Sequence, residues 1–205
     1  MAEVGSNCIP GYYELYMTSI IALDEKFSFG IQQLAHVLPA VWKVIAIYGV
    51  LAIPVVLVWY WFARDRLTAL RVAVAGVFAW FGLSHTIGRI VGRVRPPQLP
   101  FLHFPPKELL FMRPGASFPS NHAAFMTAIL VSFILAGDRK LTPFLAAVTI
   151  LTLFARVVTA QHWAGDILMG IVVGIAASYL VQWLQKPLDR WLLKPIVVGL
   201  RKIGL

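Results

Sequence analysis

Residues 156–184 read RVVTAQHWAGDILMGIVVGIAASYLVQWL, and from Ala164 to Leu184 the only charged side chain is Asp166. A soluble helix of that length needs a polar face, and this one has none. About 20 apolar residues cross a bilayer core, so the stretch predicts a transmembrane helix. The same stretch carries Arg156, His162 and Asp166 at its opening. A span and a set of reactive groups are thus written side by side.

Working outward, four more segments are long and apolar enough to cross: Val41 to Phe62, Leu67 to Val91, Asn121 to Gly137 and Leu141 to Thr159. Hydrophobic residues make up 59% of the 205-residue chain and charged residues 13%, against roughly a quarter charged in soluble domains. Mean hydropathy is +0.76. These values exclude a soluble monomer and predict an all-α integral membrane protein, a bundle of five spans. The stretch Tyr12 to Ala40 is interrupted by Glu14, Asp24, Glu25 and Lys26, leaving runs too short to span. It predicts interfacial helices. The expected organisation is a single membrane domain: an outer interfacial segment 1–40, a five-span catalytic core 41–184, and a basic amphipathic tail 185–205 lying on the cytoplasmic surface. Cys8 is the only cysteine, which rules out a disulfide framework. No cleaved signal peptide is expected.

Loop charge sets the orientation. Ten of the eighteen basic residues follow the first, third and fifth spans, accompanied by three of the nine acids. The positive-inside rule then places those loops in the cytoplasm, the N-terminus outside and the C-terminus inside. Trp42 and Trp163 fall near outer span ends, and Trp59, Trp61 and Trp183 near inner ends, where interfacial anchors are expected. The net charge of +9 lacks the basic runs interleaved with solvated aromatics that nucleic-acid binding uses, so lipid headgroups are the expected anionic partner and nucleic acid is not.

With this topology all five histidines, His36, His85, His103, His122 and His162, face outward or lie in the outer half of a span. Arg89, Arg93 and Arg95 end the second span, His122 opens the third, Arg156 closes the fourth, and His162 with Asp166 opens the fifth. Ionisable groups at membrane depth are costly, and their clustering from four spans marks a site. Set against four arginines, Asp166 is the only acid in these motifs. An excess of fixed positive charge calls for an anion, and the planar guanidinium suits phosphate. Pro119, Ser120 and Asn121 precede an apolar helix whose open N-terminus suits phosphate as well, whether or not Ser120 also caps it. His162 and Asp166, four apart, share a face if helical, letting the carboxylate hold one ring nitrogen and leave the other nucleophilic. The connection Gly92 to Phe118, with six of the thirteen prolines, predicts an outer lid or site loop.

Arg95-Pro96, Pro119-Ser120-Asn121-His122, and Arg156 with His162 and Asp166 together resemble the three-part signature of the type 2 phosphatidic acid phosphatase superfamily, which is related in fold to vanadium haloperoxidases. That resemblance implies His162 as nucleophile, Asp166 as its orienting partner, His122 as acid and base, and Arg95, Ser120 and Arg156 as phosphate ligands, with Asn121 in the same corner. The family often has a lysine seven residues before the motif arginine. Position 88 is glycine here, leaving Arg89 or Arg93 to replace the lysine. Asn121 stands where glycine is usual, and Ala155 where serine is common before Arg156.

The Pro-Ser-Asn-His form in a small five-span chain is similar to the bacitracin-resistance branch of undecaprenyl diphosphatases. The implied function is hydrolysis of the terminal phosphate of a polyprenyl diphosphate, undecaprenyl diphosphate, at the outer face of a bacterial plasma membrane, through a phosphohistidine. The alternative within the family is a phosphatase of a lipid monophosphate, phosphatidic acid or phosphatidylglycerophosphate, or a lipid phosphotransferase. No metal or other cofactor is expected. A zinc hydrolase using His85, His122, His162 and Asp166 lacks a His-Glu-x-x-His pair, and an anion transporter would carry its charges at mid-membrane.

Overall fold

A computed structural model describes residues 20–96 and 116–202. Cys8, His103 and most of the Gly92 to Phe118 loop, with the lid reading placed on it, lie outside the described residues. Helix α1, Ile20–Gln32, is followed by a short 3-10 turn and then by α2, Pro39–Ala63, and α3, Arg66–Val91. After the loop come α4, Asn121–Leu135, α5, Thr142–Val158, and α6, Ala164–Trp183. A helical stretch over 185–202, α7, ends the described chain, and no strand occurs among the described residues. The protein is an all-helical membrane protein.

Three helices, α2, α3 and α6, are 25, 26 and 20 residues long and apolar enough to cross a bilayer, whereas α4 and α5 are shorter apolar helices of 15 and 17 residues. At about 1.5 Å per residue the last two fall short of a 30 Å hydrocarbon core unless flanking residues complete the crossing. α3 is wound as a π-helix from Phe78 to Ser84. Such segments re-aim side chains and gather at functional sites.

α4 is the central helix, packed against α3, α5 and α6, while α2 lies along α5. Lipid supplies little drive for one apolar helix to leave it for another, so close backbone approach matters. A Cβ at Gly170 would sit 2.6 Å from both Ala123 Cβ and Ser120 O, and one at Gly174 would meet Thr127 Cβ at 2.8 Å. Those glycines let α4 and α6 touch. Ser178 Oγ adds an interhelical hydrogen bond by donating to Ala128 O at 2.9 Å. On the other side of α4, Met126, Ile129 and Phe133 are fully buried, and Phe133 meets Tyr60 of α2 edge-on at 4.9 Å.

The two ends of the bundle differ in kind. At one end Asp65 caps α3 by accepting from the N–H groups of Leu67 and Thr68 at 3.2 and 3.0 Å. There too Arg71 forms a two-pronged pair with Asp189 of α7 at 2.8 and 3.3 Å. This pair puts the α2–α3 turn and α7 at the same end, and α7 also packs Leu193 and Val197 inward while Trp191 stays exposed. The opposite end holds the candidate chemistry. Trp163, expected as a membrane anchor, is instead 1% exposed and donates from Nε1 to Val94 O at 2.9 Å. An indole with a buried acceptor in reach serves as a wall of the site rather than a belt residue.

Candidate active site

The corner 116–121 organises the site. Ser117 anchors it by donating its N–H to Arg93 O at 2.6 Å. Ser120 is the N-cap of α4, its Oγ accepting from Ala123 N–H at 3.4 Å, and its own N–H goes to Asp166 O at 3.0 Å. The N-termini of α4 and α6 are thereby tied together. The expectation of open backbone donors here loses the Ser120 N–H, but those of Asn121 and His122, in the first turn of α4, have no intrahelical acceptor in any α-helix.

His162 is 2% exposed and lies in the turn before α6, not on the helix as the four-residue spacing suggested. Its Nδ1 is 2.9 Å from Ser117 O, which can only accept, so Nδ1 carries the proton. Asp166 Oδ2 is 3.6 Å from the same nitrogen. The nearer orienting group is therefore a carbonyl that the sequence did not single out. Asp166, fully buried, is held by Trp163 N–H at 2.9 Å and by Ser117 Oγ, a short contact. With Nδ1 protonated, Nε2 has a free lone pair. Arg95 Nη1 approaches that lone pair at 3.3 Å while also donating to Gln161 O at 2.7 Å, and Nη2 donates to Ala116 O at 3.2 Å. Burial, followed by the cations Arg156 and Arg95, outweighs the Asp166 hydrogen bond and pushes the His162 pKa down to about 4. The ring is neutral at pH 7.

Arg156 is 8% exposed on the last turn of α5 and donates to Ala46 O of α2 at 3.0 Å. Arg93 is ion-paired. Its Nη1 lies 2.7 Å from Asp24 and 3.0 Å from Asp166, Nη2 is 3.9 Å from Glu25, and the guanidinium sits over Trp163 at 5.3 Å. Arg89 and His85 are exposed on α3, and His36 is exposed in the 3-10 turn after α1, so the structure gathers fewer ionisable groups than expected. The charge balance differs too, because α1 brings Asp24 and Glu25 to Arg93, about seventy positions away. Position 88 backs onto the corner, where a Cβ would lie 3.2 Å from Phe118 O. A lysine there would have to displace the turn.

His122 sits half-buried on the first turn of α4, its ring 5.0 Å from Trp80 in the π-segment of α3 and tilted by 45°. In the same segment Ser84, fully buried, donates to Asn121 Oδ1 at 2.7 Å with Pro119 O at 3.3 Å. Ser84, Ser117, Trp80 and Asp24 are contributors that the motifs did not reveal. Only Asp24 left a signal, as a charge interrupting an apolar run. Among the described residues no group of three or more histidine, cysteine, aspartate or glutamate side chains is arranged to hold a metal ion.

Comparison with known proteins extends this picture. Curated protein sequences give no match. The fold is similar to the crystal structure of a transmembrane PAP2 type phosphatidylglycerolphosphate phosphatase from Bacillus subtilis, with a TM-score of 0.56 and 19% identity, covering 86% of this chain and 92% of that one. At that identity the likeness concerns the fold. A family profile described as PAP2 superfamily matches residues 67–189, which span α3 to α6 and every motif discussed here, and the chain belongs to that superfamily.

Proposed function

We propose that this membrane phosphatase hydrolyses the terminal phosphate of a polyprenyl diphosphate, undecaprenyl diphosphate, at the outer face of a bacterial plasma membrane, as one five-span membrane domain. The observation that carries the reading is the buried His162, with Nδ1–H given to Ser117 O and Nε2 facing Arg95. A neutral imidazole with one nitrogen fixed as donor leaves the other as an in-line nucleophile. Nε2 forms a bond to the terminal phosphorus and the P–O bond to the prenyl phosphate breaks. Arg95, Arg156 and the Asn121 and His122 N–H groups at the start of α4 stabilise the equatorial oxygens. His122 protonates the leaving group where that is needed, then takes a proton from the water that cleaves the N–P bond. Arginines supply the charge that a divalent metal provides elsewhere. Arg93 is assigned to holding Asp166, and Arg89 receives no role.

The substrate is tested by offering purified protein undecaprenyl diphosphate and phosphatidic acid side by side in one detergent. Faster release of phosphate from the diphosphate supports the proposal. A clear preference for phosphatidic acid would move the reading to the lipid monophosphate class.

A further inference from the structure

Helix α1 turns its polar side inward. Ile21, Leu23 and Phe27 are exposed, Ala22, Ser28 and Gln32 are buried, and Asp24 and Glu25 are half-buried. A helix with apolar residues outward and acids inward suits lipid on one side and a polar cluster on the other.

The cluster it meets is the start of α6. Asp24 Oδ1 accepts from Gly165 N–H at 2.7 Å, and Ser28 Oγ accepts from Ala164 N–H at 2.8 Å. Those are the first two N–H groups of α6, which the helix itself cannot satisfy. Trp163 at the N-cap position has an indole that only donates, so the cap comes from another helix. The partial positive charge of the helix end also favours a carboxylate there. Asp24 Oδ2 meanwhile holds Arg93 Nη1 at 2.7 Å, and that nitrogen reaches Asp166 Oδ1 at 3.0 Å. Asp166 accepts from Ser117 Oγ, and Ser117 O accepts from His162 Nδ1. A continuous chain of polar contacts therefore runs from α1 to the ring of His162. α1 lies wholly outside the family-matched region 67–189.

We propose that Asp24 is a positioning residue for the phosphate-transfer site. It caps α6 and clamps Arg93 against Asp166, which fixes the Ser117 corner and the imidazole. The proposal rests on the preceding reading only in taking His162 as the nucleophile, whatever the lipid.

The test uses the purified full chain and whichever phosphorylated lipid the wild type hydrolyses fastest. Asp24→Asn keeps the size and one acceptor for Gly165 N–H but removes the charge facing Arg93. Because small misplacements of reacting groups are expensive, kcat should fall by about tenfold or more while KM stays within about threefold. Arg93→Gln should behave alike, and the double variant should be no worse than the poorer single one, the mark of one shared interaction. If Asp24→Asn does not fold, Arg93→Lys carries the same test, since an ammonium does not span the two carboxylates as a guanidinium does. A kcat within about threefold of wild type, or additive effects of the two substitutions, overturns the proposal. Turnover that survives His162→Ala overturns the parent reading. Turnover lost in His162→Ala but retained in Asp24→Asn overturns this one alone.

Discussion

His162 and His122, the proposed nucleophile and acid, are held in different ways, and each makes its own prediction. His162 is buried with its pKa pushed down to about 4, below the ordinary value of 6.5. Its neutral form therefore persists well into acid. Transfer of phosphate to the enzyme should be flat from pH 7 to 5 and decline only near 4, as followed by rapid-quench labelling. A decline centred near 6.5 would mean a solvated ring. The same sign applies to stability: the unfolded chain binds a proton between about 4 and 6.5 that the folded chain does not, so this contribution is complete above 6.5 and shrinks as the pH falls toward 4. His122, against Trp80, has the subtler task. A prenyl diphosphate expels a phosphate ester with a final pKa of about 6 and needs little acid help, whereas phosphatidic acid expels a far more basic alkoxide. His122→Ala should slow the phosphoenzyme burst much more on the monophosphate. Equal slowing of both bursts would recast His122 as a phosphate ligand.

At the scale of elements, α4 and α6 carry the site because both begin at it and nothing bulky separates them. Gly170 and Gly174 are the points of close approach, and Gly170 is the one beside the site. Gly170→Val drives a side chain into Ala123 and the Ser120 carbonyl, and overpacking of this kind costs about 1–3 kcal/mol. It should lower the thermal midpoint and kcat together, because the Ser120–Asp166 tie moves with the helices. A normal midpoint and normal turnover would show that the two helices can part without harm. The legibility of the sequence divides along the same line. Apolar length was enough to mark five helices, and the motifs named Arg95, His162 and Asp166, which the fold brings to one place. Periodicity carried no trace of the π-segment that aims Trp80 and Ser84 at α4, because a single extra residue in a uniformly apolar helix leaves the pattern unchanged. Nor did it reveal that Ser117 offers a carbonyl, since backbone acceptors are the same in every residue. The acidic partners of Arg93, Asp24 and Glu25, went unforeseen because they lie in a segment read as merely interfacial.

At the scale of the molecule, the Arg71–Asp189 pair and the His162 cluster lie at opposite ends of the bundle. In the proposed orientation, which rests on loop charge, the first end faces the cytoplasm. In a Cys8→Ser background, His36→Cys should be labelled in intact cells by an impermeant thiol reagent and Arg139→Cys should not. The reverse pattern would invert the orientation. Activity is also expected to survive EDTA, and loss that zinc or magnesium restores would replace the arginine-based mechanism with a metal-based one. The central claim is a phosphate carried by His162. It is tested most directly by mixing the enzyme with undecaprenyl diphosphate radiolabelled in its terminal phosphate and quenching within one turnover. The account predicts label on the protein that is acid-labile and alkali-stable, mapped to His162 and missing from His162→Ala. Full-rate release of phosphate by the wild type, with no label on the protein at any time within the turnover and with turnover persisting in His162→Ala, would contradict it.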